Sequence, residues 1–154
     1  MKQPRKAGRS LDESAVRSID PLSRRHLRAG WWALLGFLCM GVVLETLHGF
    51  KVGWYLDVAS STRRHMWTLA HAHGTLLAVV NLVFGATVQR LPQHARSRLA
   101  SHCLLVATVL LPGGFLLGGL FPFSGDPGPG VLLVPVGAVF LALGVFLVAR
   151  SWSC

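Results

Sequence analysis

One stretch near the middle of the chain decides the fold: residues 66–88 read MWTLAHAHGTLLAVVNLVFGATV. A helix needs about 20 apolar residues to cross the hydrocarbon core of a bilayer, and this run is long enough. It contains no Asp, Glu, Lys or Arg, but it does contain His71 and His73. Because polar side chains are costly in hydrocarbon, an ionisable residue at such a position indicates a functional site.

Three further apolar segments flank this run, and together they predict helices over about residues 29–48, 66–88, 99–121 and 130–149. The chain is 52% hydrophobic and 14% charged, with a mean hydropathy of +0.52, which is more apolar than an ordinary soluble domain. Backbone groups in lipid must be satisfied within the segment, which favours helices. We therefore predict an all-α integral membrane four-helix bundle with antiparallel up-down topology over residues 29–154.

The charge is placed unevenly. The net charge is +9, and eight of the 15 Lys and Arg residues lie in residues 1–28, which we predict to be a basic, disordered cytoplasmic tail. With the N-terminus inside, twelve basic residues face the cytoplasm, and only Lys51, Arg63 and Arg64 face the other side. This asymmetry predicts that both termini are cytoplasmic. The basic excess indicates contact with the lipid bilayer, and no zinc-finger spacing or basic-aromatic pattern indicates a nucleic-acid partner.

Small residues recur every four positions in three of the segments. In the second segment they are Ala70, Gly74 and Ala78, in the third they are Gly114 and Gly118, and in the fourth they are Ala138 and Ala142. This spacing allows helix backbones to approach closely, so we predict that all three stripes are helix-packing faces.

The polar residues of the first two helices fall at one depth, near the outer side. Glu45 and His48 lie at the outer end of the first helix, His71 and His73 lie one to two turns below the outer end of the second, and His65 sits at that boundary. Residues three apart share a helix face, and Glu-x-x-His is a spacing used by metal sites in helix bundles. We predict a metal site of Glu45, His48, His71 and His73, in which the histidines are also candidate haem ligands.

The helical phase restricts this site. At about 100° per residue, His71 and His73 point about 160° apart, so we do not expect one ion to be chelated by both unless the helix is locally distorted. Whichever of the two faces the first helix is the ligand candidate. His102 lies near the inner end of the third helix, about 20 Å from His71 at a rise of about 1.5 Å per residue. With Asn81 it forms a possible second site, although Asn81 also suits a hydrogen bond between helices.

Part of the chain resembles a known group of proteins. Residues 71–77 (HAHGTLL), followed by Phe84-Gly85 and Leu91-Pro92, are similar to a run found in small bacterial four-helix membrane proteins. Those proteins resemble a fragment of haem-copper oxidase subunit I, and the resemblance covers roughly residues 66–152. It implies haem b or a transition metal as cofactor, a respiratory or redox accessory role and the bacterial inner membrane. His102 departs from the pattern because it lacks aromatic neighbours, and 154 residues are too few for the full ligand set of an oxidase.

Three functions are therefore open. The first is a membrane protein whose outer His/Glu cluster binds haem or a metal ion. The second is a non-catalytic structural or assembly subunit, or a homo-oligomer, in which the histidines hold helices together. The third is a proton-coupled transporter or channel subunit. The chain shows no Ser-His-Asp, Cys-His or paired-carboxylate set, so we do not expect an enzyme.

Overall fold

The computed structural model describes residues 20–57, 61–91, 96–123 and 125–153. These residues form helices and loops without a β-strand; their one bridge pairs Phe123 with Asp126. The four long helices are α1 (Pro21–Gly49), α2 (Ser61–Thr87), α3 (Arg98–Leu120) and α4 (Leu133–Trp152).

Each of these four helices is long and apolar enough to cross a membrane, which confirms the prediction of an all-α chain with four candidate membrane-spanning helices. A short helical turn, Gly53–Leu56, lies between α1 and α2. Two 3-10 turns complete the described helices: Val88–Arg90 extends α2, and Pro129–Leu132 leads into α4.

The first helix begins earlier than predicted. Asp20 caps it, because the Leu22 N–H donates to Asp20 Oδ1 at 2.8 Å, and Pro21 occupies the first turn, where a missing N–H costs nothing. Residues 21–28, which we predicted to belong to the tail, are therefore helical. Residues 1–19 of the predicted tail lie outside the described residues.

The helices pack in sequence order, α1 on α2, α2 on α3 and α3 on α4. Contacts show that α1 and α2 run in opposite directions: Gly30 of α1 lies beside Leu82 of α2, and Gly41 lies beside His71. In the described part of the chain, α1 touches α3 only slightly and shares no interface with α4. The bundle is thus open, with α1 and α4 at its two edges.

The predicted small-residue stripe of α2 is buried. Ala70 and Ala78 are fully buried, and Gly74 lies directly beneath the ring of Phe37. A Cβ at Gly74 would come within 2.3 Å of Phe37 Cε1, so only glycine allows α1 this close.

The stripe predicted on α4 does not pack against another helix within the described part of the chain. Ala138 and Ala142 are exposed, and α4 instead turns Gly137 and Gly144 toward α3. Gly137 packs against the backbone of Leu111, where an added Cβ would lie 2.7 Å from the Leu111 nitrogen. The closest approach therefore selects the glycines, which lack even a methyl group.

An aromatic and arginine cluster closes the end of the bundle where α1 joins α2. The Tyr55 and Trp54 rings pack on Trp67, with centroids 6.4 Å and 5.7 Å away. Arg64 donates from one nitrogen to the carbonyls of Tyr55 and Asp57, both at 2.9 Å. These contacts hold the α1–α2 loop against α2, above the polar residues described next.

Candidate functional site

His71 is the histidine of the pair that faces α1. Its Nδ1–H donates to the backbone carbonyl of Phe37 at 2.7 Å. The ring lies against Gly41, where a Cβ would come within 2.5 Å of His71 Cε1. Gly41 is four residues after Phe37, so its missing side chain opens the space through which the ring reaches that carbonyl.

This hydrogen bond determines the tautomer of His71. A carbonyl oxygen can only accept, so Nδ1 must carry the proton. In the neutral ring the lone pair then lies on Nε2, which makes no hydrogen bond within the described residues. His71 is thus held in one orientation with a free basic nitrogen.

A recess of about 320 Å³ opens beside His71 on the α1–α2 seam. Its walls include Glu45 and His48 of α1 and Tyr55 of the loop, and the complete lining is Gly41, Leu44, Glu45, His48, Tyr55, Thr68 and His71. Glu45 and His48 are exposed, His71 is half-buried and Tyr55 is buried. The structure therefore brings together three of the four residues predicted for the metal site.

His73 lies on the other side of α2. Its Nδ1–H donates to the carbonyl of Leu69 in its own helix at 2.9 Å, and its ring packs on Phe115 of α3 with centroids 4.9 Å apart. The opposite facing of the two histidines agrees with their helical phase. His65 is exposed and does not line the recess.

The recess residues are not drawn into a metal shell. Across the described ranges, no three His, Cys, Asp or Glu side chains lie close enough together to hold one ion. The side chains of Glu45 and His48 are exposed, so the carboxylate and the imidazole have room to change rotamer toward His71.

A second polar cluster, which we did not predict, lies deeper in the bundle at its other end. His26 of α1 is fully buried and joins α2 and α3. Its Nδ1 lies 2.7 Å from Asn81 Oδ1, and its Nε2 lies 2.7 Å from Ser101 Oγ. The Asn81 amide in turn donates to Thr108 Oγ1 at 2.7 Å and to the Leu77 carbonyl at 2.8 Å.

The directions of these bonds are consistent with a neutral His26. Because the Asn81 nitrogen donates twice, Asn81 Oδ1 is left as the acceptor, so His26 Nδ1 is the donor. His26 Nε2 then accepts from the Ser101 hydroxyl, and Thr108 donates to the Leu104 carbonyl at 2.7 Å. Every polar side-chain group in this cluster has a partner, which is the condition for burying it cheaply.

Two hydrogen bonds of Ser23, beside this cluster, strengthen the α1–α2 seam. The Ser23 hydroxyl donates to the Gly85 carbonyl at 2.6 Å and accepts from the Gln89 amide at 2.8 Å. Both bonds join residues more than 60 positions apart in the chain.

Sequence reasoning missed His26 because residues 1–28 were assigned to the tail. The signal was available in Asp20-Pro21, an N-cap followed by proline, which marks a helix start. A helix from Pro21 places Ser23, His26 and Gly30 on one face, and all three are buried.

The possible second site of His102 and Asn81 is not assembled. Asn81 is buried with His26, Ser101 and Thr108, whereas His102 is exposed and donates through Nδ1 to the Arg98 carbonyl of its own helix at 2.8 Å. Asn81 therefore takes the alternative role that we kept open for it, a hydrogen bond between helices.

No protein-family model matches the chain, and no curated protein or solved structure matches it either. The resemblance of residues 66–152 to a fragment of haem-copper oxidase subunit I therefore stays a prediction.

Proposed function

We propose that this chain is an integral membrane protein that binds a transition-metal ion in the recess beside His71. The observation that carries the proposal is the bond from His71 Nδ1–H to the Phe37 carbonyl, which fixes the ring of a residue that lines the recess and leaves the lone pair on its Nε2. Histidines that bind metals commonly donate their other ring nitrogen to a carbonyl or carboxylate, which fixes the ring and raises its basicity.

The neighbours of His71 fit this chemistry. His48 offers a second imidazole and Glu45 a carboxylate, and both line the same recess from one face of α1. Imidazole nitrogens suit Zn²⁺, Cu²⁺ and Fe²⁺, and a carboxylate adds charge compensation for a divalent ion. We assign His71 as the anchoring ligand, with His48 and Glu45 closing on the ion.

A b-type haem is the alternative occupant. Ligand pockets run from about 300 to 1,000 Å³, so a recess of about 320 Å³ lies at the small end of that range. This size favours a single ion with its waters over a macrocycle. The respiratory or redox accessory role rests on the resemblance alone.

We also propose an orientation. With the N-terminus in the cytoplasm of a bacterial cell, twelve of the 15 Lys and Arg residues lie on the cytoplasmic side of the plasma membrane, and both termini are cytoplasmic. The recess then opens near the outer face of the membrane, where it can exchange an ion with the exterior.

The test is metal content together with an optical spectrum of the purified protein in detergent. After separate incubation with Zn²⁺, Cu²⁺ or Fe²⁺ and desalting, we expect about one ion per chain of the wild-type protein. The affinity of the His71→Gln variant for that ion should be at least about tenfold lower. His102→Gln is the matched control, because His102 also donates Nδ1–H to a helix carbonyl but lies outside the recess. Equal metal content in all three proteins would contradict the proposal, and a Soret band lost only in His71→Gln would assign haem instead.

A second candidate, a structural or assembly subunit, is supported by the edge helix α4. Its face with Ala138 and Ala142 is exposed and keeps the small-xxx-small spacing used in helix association. If α4 binds a partner or a second copy of the chain through this face, the variant with both alanines changed to Leu should no longer do so. Light scattering in detergent measures this as a lower mass of the protein particle. Monomeric protein before and after the change would rule out self-association through this face.

A further inference from the structure

A groove of about 610 Å³ runs between α1 and α3, and its arginine end lies at the end of the bundle opposite the recess. It exists because these two helices barely touch, while both pack on α2. Its walls are mostly apolar and aromatic, with two arginines at one end. The lining comprises Arg25, Arg28, Ala29, Trp32, Ala33, Phe37, Leu105, Thr108, Val109, Pro112, Gly113 and Leu116.

The arginine end of the groove carries positive charge that no acidic side chain pairs with in the described ranges. Arg25 and Arg28 are three residues apart, so they share one face of α1, and both are exposed. The acidic residue next to them in the chain, Asp20, is occupied, since it caps α1 and pairs with Arg96. Within the described residues neither arginine has an acidic partner.

The length of the groove corresponds to one leaflet. On α3 the lining extends from Leu105 to Leu116, about 16 Å at a rise of about 1.5 Å per residue. On α1 it extends from Arg25 to Phe37, about 18 Å including the arginine end. Half of a hydrocarbon core of about 30 Å is about 15 Å.

We propose that this groove binds one anionic phospholipid, whose phosphate lies on Arg25 and Arg28 and whose acyl chain lies along Trp32 and Val109. The charge complementarity is to a net negative headgroup, and the apolar length fits one acyl chain of the same leaflet. This site is separate from the metal recess and does not depend on the proposed metal.

The first experiment compares lipids by native mass spectrometry of the delipidated full chain in detergent. We expect one phosphatidylglycerol bound per chain and much weaker binding of phosphatidylcholine. Arg25→Gln with Arg28→Gln should weaken phosphatidylglycerol binding roughly 30-fold, from the typical contribution of an arginine near an anionic surface. Equal binding of the two lipids by the wild-type protein would overturn the proposal.

The matched control carries the same charge change outside the groove. Arg24→Gln with Arg98→Gln also removes two positive charges, and both arginines are exposed but do not line the groove. We expect this control to bind phosphatidylglycerol within about threefold of the wild type. If the control loses as much affinity as the groove variant, general surface charge explains the binding and the site is refuted.

A second variant tests the groove without changing charge. Gly113 lines it, and a Cβ added there meets no atom within 4 Å, so Gly113→Leu can place its side chain in the groove without a clash at the backbone. Gly113→Leu should exclude the acyl chain and abolish the bound lipid, while circular dichroism shows the same helix content. Wild-type lipid binding in a folded Gly113→Leu would overturn the proposal.

Discussion

The buried His26 should be a main contributor to the stability of this bundle, and His26→Leu tests this. The leucine side chain has a similar bulk, but it is apolar and lacks the two ring nitrogens of histidine. The change leaves Asn81 Oδ1 and Ser101 Oγ without the partners that now lie 2.7 Å away. It also removes the edge-on contact of the imidazole with Phe84, whose centroid lies 4.5 Å from that of His26.

Two estimates bound the cost. Hydrogen bonds between transmembrane helices contribute about 0.6 kcal/mol on average, so losing two costs about 1 kcal/mol. If Asn81 and Ser101 stay buried without partners, each costs about 1–3 kcal/mol. His26 is fully buried and the helices around it are closely packed, which limits access of water to those groups. We therefore expect a loss of about 2–3 kcal/mol in the free energy of unfolding.

The assay is unfolding by SDS in mixed micelles, followed by circular dichroism. His102→Leu is the control, because it removes an exposed histidine whose ring bonds only to its own helix, and it should cost less than about 0.5 kcal/mol. A double-mutant cycle with Ser101→Ala should show coupling, since the two side chains share a bond. Equal stability of the two leucine variants, or additive costs in the cycle, would refute the role given to His26.

Two further predictions concern other contacts. Gly41→Ala places a Cβ about 2.5 Å from His71 Cε1, so it should displace the imidazole and lower the metal content as His71→Gln does. The control Gly36→Ala, whose added Cβ meets nothing within 4 Å, should leave the metal content unchanged. Equal metal content in the two variants would contradict the reasoning. Arg96→Ala removes the ion pair with the Asp20 cap, so hydrogen exchange at the start of α1 should become faster, with a stability loss of about 1 kcal/mol; unchanged exchange there would show that the pair does not hold the cap.

The four helices could be predicted because length and apolar composition suffice for that conclusion. The opposite facing of His71 and His73 could also be predicted, because it follows from the helical repeat alone. Which of the two faces α1 could not, since it depends on where α1 has room. Gly41 supplies that room, and only the packing of α1 on α2 shows that it lies beside His71.

The start of α1 was missed because average hydropathy weighs all residues of a segment equally. Residues 21–28 contain three arginines, which lower the average, yet a helix separates them from the buried Ser23 and His26. The arginines are exposed while the small and polar residues face α2 and α3. Burial in this segment therefore follows a stripe of residues on one face of the helix. An average of hydropathy over a window of the sequence cannot detect such a stripe.

The α4 stripe illustrates a second limit. Ala138 and Ala142 have the spacing of a packing face, but Gly137 and Gly144 lie on the side that α3 covers. Both pairs suit close approach, so the sequence of α4 alone does not choose between them. The choice belongs to the partner helix, because the Leu111 backbone fills the space that a Cβ at Gly137 would need.

The two polar clusters differ in a way that separates stability from function. Around His26 every donor has an acceptor and every ring nitrogen is used, so a ligand could bind there only by breaking bonds that hold three helices together. Around His71 one nitrogen holds the ring in place, the other has no hydrogen-bond partner among the described residues, and the neighbours Glu45 and His48 are exposed. A completed network resists change, whereas an oriented group with spare bonding capacity can accept a ligand. A ligand in the recess would leave the hydrogen bonds of the His26 cluster intact.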